Sequence, residues 1–379
     1  MDLALQYAQT KLPEIVQSIR RMVECESPSD DPAAVNRFVD LFAAEIADIA
    51  KVRTFKGGRF GRHMRCEFLL PGRKKTGQVL ALGHSDTVYP LGILSTMPWR
   101  EKDGRLYGPG VLDMKGGLMF FIWAMRALRE LDQPVAHKVV LQVNSDEEVG
   151  SESSRPLTEE AAKQSIAVLV LEPGTGPAGK LKTARKGVGD YTVKVRGVAS
   201  HAGVDFSSGA SAILELARQI EKIAGFTKLE RGITVNPGVI TGGTRTNVIA
   251  AEATVEVDIR IAKLKDAAYL EKAFRALKPV DKRCAIEVTG GLNRPPMERT
   301  AAIAKLFSTA RKQAADLGVA LEESATGGGS DGNFTAALGV PTLDGLGTVG
   351  EGAHAPHESI AVDRIADRTA LLAKLVAAI

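Results

Sequence analysis

Cysteine is scarce in this chain. Only Cys25, Cys66 and Cys284 occur among 379 residues. They are far apart and odd in number, so neither a disulfide framework nor a CxxC metal motif follows, and a reducing compartment fits. Charge of one sign is also lacking. The formal net charge is +4, and the longest basic run is Arg73-Lys74-Lys75, directly after the turn Pro71-Gly72. This argues against a nucleic-acid partner. No apolar run approaches the length of a membrane span. The N-terminal stretch lacks the uninterrupted apolar segment of a secretory signal. The glycines of Tyr107-Gly108-Pro109-Gly110 and Gly116-Gly117 do not have GxGxxG spacing, and no GK[ST] occurs, so they are weak evidence for a nucleotide site. The glycine-rich Thr326-Gly327-Gly328-Gly329-Ser330-Asp331-Gly332 has no lysine after it, so close backbone packing near a site is the expectation there. Internal repeats and low-complexity segments are absent. A cytoplasmic protein with no nucleic-acid and no membrane partner is expected.

What is present is ample apolar material, 44% of the residues, and 38 glycines. That is enough for a large core and two domains. An amphipathic helix is expected over 3–24, with Ile15, Ile19, Met22 and Val23 on one face. Ser27-Pro28-Ser29-Asp30-Asp31-Pro32 ends it, and a second helix follows over 33–49. Short apolar runs at 79–82, 139–143 and 167–171 read as buried strands. Helical patterns between and beyond them imply a mostly parallel sheet covered by helices, an α/β fold. From 185 the texture changes. Tyr191-Thr192-Val193-Lys194-Val195-Arg196 alternates as a half-exposed antiparallel strand does. Strands and two helices then follow to Arg294-Pro295-Pro296. The expected organisation is a catalytic domain over 1–184 and 296–379, with an inserted α+β domain over 185–295.

Polar residues of one kind gather where the apolar runs end. His84 and Asp86 follow the run at 79–82, and alternate residues of an extended chain share a face. Asp113 precedes a long helix expected over 117–131, where it could also serve as an N-cap. Asn144-Ser145-Asp146-Glu147-Glu148-Val149-Gly150 follows 139–143, and Glu172 follows 167–171. Ligands of parallel sheets bind beyond the carboxyl ends of the strands. One histidine and several carboxylates converging there suit a metal site better than unrelated turns. A last polar cluster, Gly350 to Glu358, contains His354 and His357. His63 and His137 receive no functional role.

Taken in order, Gly83-His84-Ser85-Asp86-Thr87, Gly110-Val111-Leu112-Asp113-Met114-Lys115-Gly116-Gly117, Asp146-Glu147-Glu148-Val149-Gly150-Ser151, Glu172-Pro173, Ser200-His201-Ala202-Gly203 and the late His354 resemble the dinuclear zinc exopeptidases and deacylases of the M20 family. The resemblance spans almost the whole chain. Within the family it is most similar to the glutamate carboxypeptidases of the carboxypeptidase G type.

The resemblance implies the zinc-exopeptidase fold with an inserted lid and dimerisation domain, and hence a homodimer. It implies two Zn2+ ions, with Mn or Co able to use the same ligands. His84 and Glu172 match the ligands of one ion, Glu148 and His354 those of the other, and Asp113 the carboxylate between them. A glutamate four residues on favours His354 over His357. Glu147 matches the general base and Asp86 the partner that orients His84. His201 matches a histidine that reaches the active site, in the family often that of the partner subunit. Asn247, Arg260 and Arg294 are candidates for holding a substrate carboxylate. Lys180 is a candidate for meeting a glutamate side chain, and Gly329 and Ser330 for bordering the pocket. The implied reaction is hydrolysis of a peptide or N-acyl amide bond with release of a C-terminal amino acid, glutamate in the carboxypeptidase G type. An N-acyl amino-acid deacylase or a dipeptidase would use the same metal site. A non-catalytic binding protein is the alternative outside the enzyme class.

Overall fold

The computed structural model describes residues 2–379. The chain divides into two compact units. Among the described residues one comprises 2–184, 299–325 and 330–379; the other comprises 185–298 and 326–329.

The first unit is built on a six-stranded sheet. Its order is Ala50–Lys56, Arg62–Phe68, Lys138–Asn144, Gln78–His84, Ser165–Val170 and Thr342–Leu343. The last four strands run parallel, and the first two are antiparallel additions at one edge. The apolar runs alternate between two cores, as a period of two requires. Val79, Ala81, Val139, Leu141, Val143, Ala167 and Leu169 join the larger cluster, with the helices Leu12–Glu24, Pro32–Glu45, Gly116–Glu130 and Ile365–Ala378. Leu80, Leu82, Val140, Val168 and Val170 face the other way, onto Ala161 and Ala162 of the helix Arg155–Lys163. Burial on both faces explains why these strands read as unbroken apolar runs. Each fully buried large side chain contributes about 1.5–3 kcal/mol.

Glycine matters most at the end of the strand Ser165–Val170. A Cβ at Gly117 would stand 2.2 Å from the Leu171 carbonyl oxygen, and one at Gly347 2.1 Å from the same atom. Bare backbone on both sides is what seats the chain just before Glu172.

The second unit is an antiparallel sheet of order Thr234–Gly242, Glu252–Ile261, Gly187–Arg196 and Ala285–Arg294. Its strands carry one apolar face. Tyr191, Val193, Val195, Val255, Val257 and Ile259 pack with Leu216, Ile223, Leu270 and Phe274 of the helices Ala212–Ala224 and Ala267–Arg275. The Tyr191 ring stacks on Phe274 at 3.8 Å.

Three expectations change. The single N-terminal helix is two, Leu3–Thr10 and Leu12–Glu24. Pro13 opens the second, where its missing N–H leaves no bond unmade. Ala50–Lys56 and Arg155–Lys163 carried too little apolar periodicity to be anticipated. Asp113 is no N-cap: it sits at φ −118°, ψ 94°, and the helix starts at Gly116. No helix among the described residues is long and apolar enough to cross a membrane.

Candidate metal centre

His84 ends its strand in parallel register with Asn144, the last residue of the neighbouring strand. The chain after Asn144 therefore brings Glu147 and Glu148 to the same sheet edge, and the strand on the other side of His84 delivers Glu172. Two groups of ligand atoms form there: His84, Asp113 and Glu172, and Asp113, Glu148 and His354. Within each group the atoms lie within 4.8 Å of one another. His84 Nε2 stands 3.2 Å from Asp113 Oδ1 and 3.6 Å from Glu172 Oε1. His354 Nε2 stands 3.4 Å from both Asp113 Oδ2 and Glu148 Oε1. Asp113 thus offers one oxygen to each group. His354 rather than His357 enters the cluster, from a backbone at φ 61°.

The donor set fits two divalent cations. Two imidazoles and three carboxylates match the ligand chemistry of zinc. Glu148 Oε1 is buried and accepts no hydrogen bond, although His354 faces it. His84 Nδ1 donates to the Asp86 carbonyl at 2.9 Å, which leaves Nε2 as the ligating atom. Burial opposes a charge on His84, but its bonds to Asp113 and Asp86 prevail and raise it well above its usual value. His354 is raised to about 10, chiefly by its bond to Asp113 and then by Glu148.

The chain around each ligand is held by residues behind it. Asp86 meets His84 through its main chain: His84 Nδ1 donates to the Asp86 carbonyl at 2.9 Å, with the Asp86 carboxylate 3.6 Å from the same nitrogen. The carboxylate accepts from the N–H groups of Glu147 and Glu148, at 3.2 and 3.1 Å, and from Ser29 Oγ at 2.8 Å. One aspartate so ties His84 to the turn Glu147–Val149. Near Glu172, Gly347 N–H donates to the Glu172 carbonyl at 2.9 Å. The buried Arg368 holds that loop by donating to the carbonyls of Gly347, Gly179 and Gly345.

Glu358 is the residue whose role the sequence concealed. Fully buried, it accepts from the N–H groups of Gly110, Leu112 and Asp113 at 3.1, 2.8 and 3.0 Å, and from Tyr89 Oη at 2.6 Å. Burial pushes its carboxyl up, against the pull of these donors. The spacing His354-x3-Glu358 was its only sequence signal. It joins the His354 segment to the main chain of Asp113. Glu358→Gln replaces one acceptor oxygen by a donor that faces N–H groups. Metal affinity is expected to fall about 10–100-fold, read by competition with a chelator, with a lower melting temperature.

Other sequence candidates fall as follows. His201 and Asn247 are exposed neighbours in the second unit, joined by Ala202 N–H to the Asn247 carbonyl at 3.0 Å. Arg260 is clamped by Asp258, with Nε and Nη2 at 3.0 and 2.7 Å. Its Nη1 reaches the Gly327 carbonyl at 3.4 Å. Arg185 donates to the carbonyls of Gly328 and Gly329 at 3.2 and 2.9 Å, and a Cβ on Gly329 would meet Arg294 at 3.0 Å. Three arginines therefore surround the glycine loop. Ser330 is corrected: it is fully buried and donates to Asp344 at 2.7 Å, so it braces the loop from inside rather than bordering an open pocket. Lys180 pairs with Glu322. His137 bridges the carbonyls of Thr76 and Ile379.

Comparison with known proteins agrees with this centre. The family model described as peptidase family M20/M25/M40 matches residues 80–378. Carboxypeptidase G2 of Pseudomonas sp. (strain RS-16) is 28% identical over 392 residues, covering 99% of this chain and 91% of that protein. The acetylornithine deacetylase of Myxococcus xanthus is 33% identical over 191 residues, covering 47% of this chain and 48% of that protein. The aminopeptidase PepT structure from Bacillus cereus ATCC 10987 superposes with a TM-score of 0.79 at 22% identity, over 97% of this chain and 98% of that one. The chain belongs to peptidase family M20/M25/M40, and so to its peptidase- and deacetylase-type hydrolases.

Proposed function

We propose that this protein is a zinc-dependent hydrolase of peptide or N-acyl amide bonds that releases a C-terminal amino acid, glutamate in the first instance. The observation that carries the reading is Asp113 shared between two three-residue ligand groups. Bound there, two cations would supply Lewis acidity for attack on the amide carbonyl. Zinc suits the two histidines and three carboxylates, and Mn or Co could replace it.

The chain's own residues do the rest. Glu147 adjoins Glu148 but belongs to neither ligand group, and it takes a proton from the attacking water and passes it to the leaving nitrogen. Asp86 fixes the main chain of both glutamates, so the base and its neighbour move together. His201, on the surface of the second unit, donates to the developing oxyanion. Arg260 and Arg294, beside the Gly327–Gly329 loop, hold the substrate carboxylate with Asn247; a guanidinium suits a planar partner. Lys180 would meet a glutamate side chain only if Glu322 releases it.

A homodimer through the second unit accompanies this reading. The edge strand Thr234–Gly242 exposes Val239 and Ile240, at 52% and 59%, and its last residue Gly242 lies near Ile213 of the helix Ala212–Ala224, where Ile213 and Leu214 are also exposed. An apolar open edge of this kind invites strand pairing. The three cysteines are all free, which supports a cytoplasmic setting.

The test is amino-acid release from N-acyl and α- or γ-linked glutamates and matched non-acidic analogues, with zinc-loaded protein. Glutamate release supports mechanism and specificity together. Release of other residues alone removes the glutamate assignment and the part given to Lys180. Alongside it, light scattering should give a dimer that Ile240→Lys converts to monomer; a wild-type monomer would overturn the dimer.

A further inference from the structure

His63 is fully buried and lies outside both ligand groups. It sits on the strand Arg62–Phe68, on the antiparallel side of the sheet. Its ring meets two points of one segment. Nδ1 is 3.1 Å from Ser145 N and 2.9 Å from Ser145 Oγ. Nε2 is 2.9 Å from Ser153 Oγ.

The chemistry of these contacts assigns the protons. A main-chain N–H only donates, so Nδ1 is the unprotonated nitrogen. Nε2 then carries the hydrogen and donates to Ser153 Oγ. Ser153 Oγ–H in turn donates to Asp146 Oδ2 at 2.7 Å. Asp146 Oδ2 also accepts from the N–H groups of Ser153 and Ser154, at 2.7 and 3.2 Å, and Ser151 N–H donates to the Asp146 carbonyl at 2.7 Å. The series runs in one direction and is complete with a neutral ring. A second ring proton would point Nδ1–H at the Ser145 N–H. Burial holds the ring's pKa below its ordinary value, against the pull of Asp146, Asp86 and Asp331. The ring's seat is close-fitting: a Cβ at Gly57 would come within 2.8 Å of Nε2.

The two anchor points bracket the segment that carries Glu147 and Glu148. Asp86 holds that segment from the metal side, through the N–H groups of both glutamates. His63 and Asp146 hold it from behind, where it has only the short helix Glu147–Val149. We infer that His63 is a positioning residue: as a neutral ring it staples Ser145 to Ser153 and so sets the directions of Glu147 and Glu148. The inference rests on the function proposed above, but the metal-binding arm of its test does not depend on turnover.

The experiment is a cobalt titration of the full chain, followed by visible absorption, for wild type, His63→Phe, His63→Asn and Ser153→Ala. His63→Phe removes both contacts and keeps a ring. His63→Asn keeps an acceptor for Ser145. The expected result is that one of two cobalt equivalents binds about tenfold more weakly in His63→Phe, with an altered spectrum, and that His63→Asn recovers part of the loss. At saturating metal, kcat should fall about tenfold while KM stays within twofold. A cooperatively folded His63→Phe with both equivalents at wild-type affinity and an unchanged spectrum would overturn the assignment for Glu148. An unchanged kcat at saturating metal would overturn it for Glu147. Should His63→Phe fail to fold, Ser153→Ala carries the same reading with one contact cut. A wild type that binds cobalt but hydrolyses no amide defeats the proposed function and leaves the titration to decide the role of His63.

Discussion

Glu147→Gln is expected to lower kcat by about 10²–10⁴-fold, the range that positioned proton transfer supplies. Both metal equivalents should stay bound and KM should change little. The reasoning is geometric. Glu148 belongs to a ligand group and Glu147 does not, although they are adjacent. Their N–H groups are held by two oxygens of the same Asp86 carboxylate. Glutamine keeps the length and the main-chain contacts of Glu147 but cannot accept the proton. Steady-state rates with metal content measured on the same samples check this. Loss of a metal equivalent would make Glu147 a ligand. A decrease in kcat below tenfold would place the proton acceptor elsewhere.

Asp113→Asn should abolish tight binding at both metal positions, and activity with it. A single-site ligand such as Glu172 should cost one position when substituted. The difference follows from Asp113 presenting Oδ1 to His84 and Oδ2 to His354, at 3.2 and 3.4 Å. The substitution also has a proton signature in the metal-free protein. His354 is raised there from 6.5 to about 10, with Asp113 as the first cause. A raised histidine stabilises the fold fully below its unfolded value and loses that contribution as pH rises through the folded one. Metal-free wild type should therefore lose melting temperature between about pH 6.5 and 10, and Asp113→Asn should lose less. Asp113 itself is held far below its usual 3.8 by these histidines, although burial opposes this. Its share is present above 3.8 and is lost on acidification. Near pH 8 the metal must displace the histidine protons, so uptake by wild type should release about two of them. Calorimetry in buffers of different ionisation enthalpy counts them. No proton release would mean that the histidines are already neutral, against the charged pairing drawn above.

The residues of the two candidate ligand groups were legible because parallel strands place chemistry at their carboxyl ends. His84, Glu148 and Glu172 each stand within a few residues of an apolar run, and a sequence displays that adjacency directly. The residues that hold the ligands were not legible. Glu358 acts on Asp113 from 245 positions away, and His63 acts on Ser145 from 82. No local pattern shows these contacts, because a side chain that accepts main-chain N–H groups asks nothing of the side chains it serves. Ser330 shows the opposite error. Its place in a glycine-rich loop suggested an open border, whereas its hydroxyl is needed inside, on Asp344.

The sequence by itself determined the buried parallel strands and the order of the candidate ligand residues at their ends, because burial on two faces and strand ends leave marks of short range. The tertiary structure alone decided which oxygen of Asp113 faces which histidine, that Asp86 grips the Glu147 turn, and that Lys180 and Arg260 already have acidic partners. Those outcomes depend on segments far apart in the chain meeting within hydrogen-bond distance, and no periodicity encodes that.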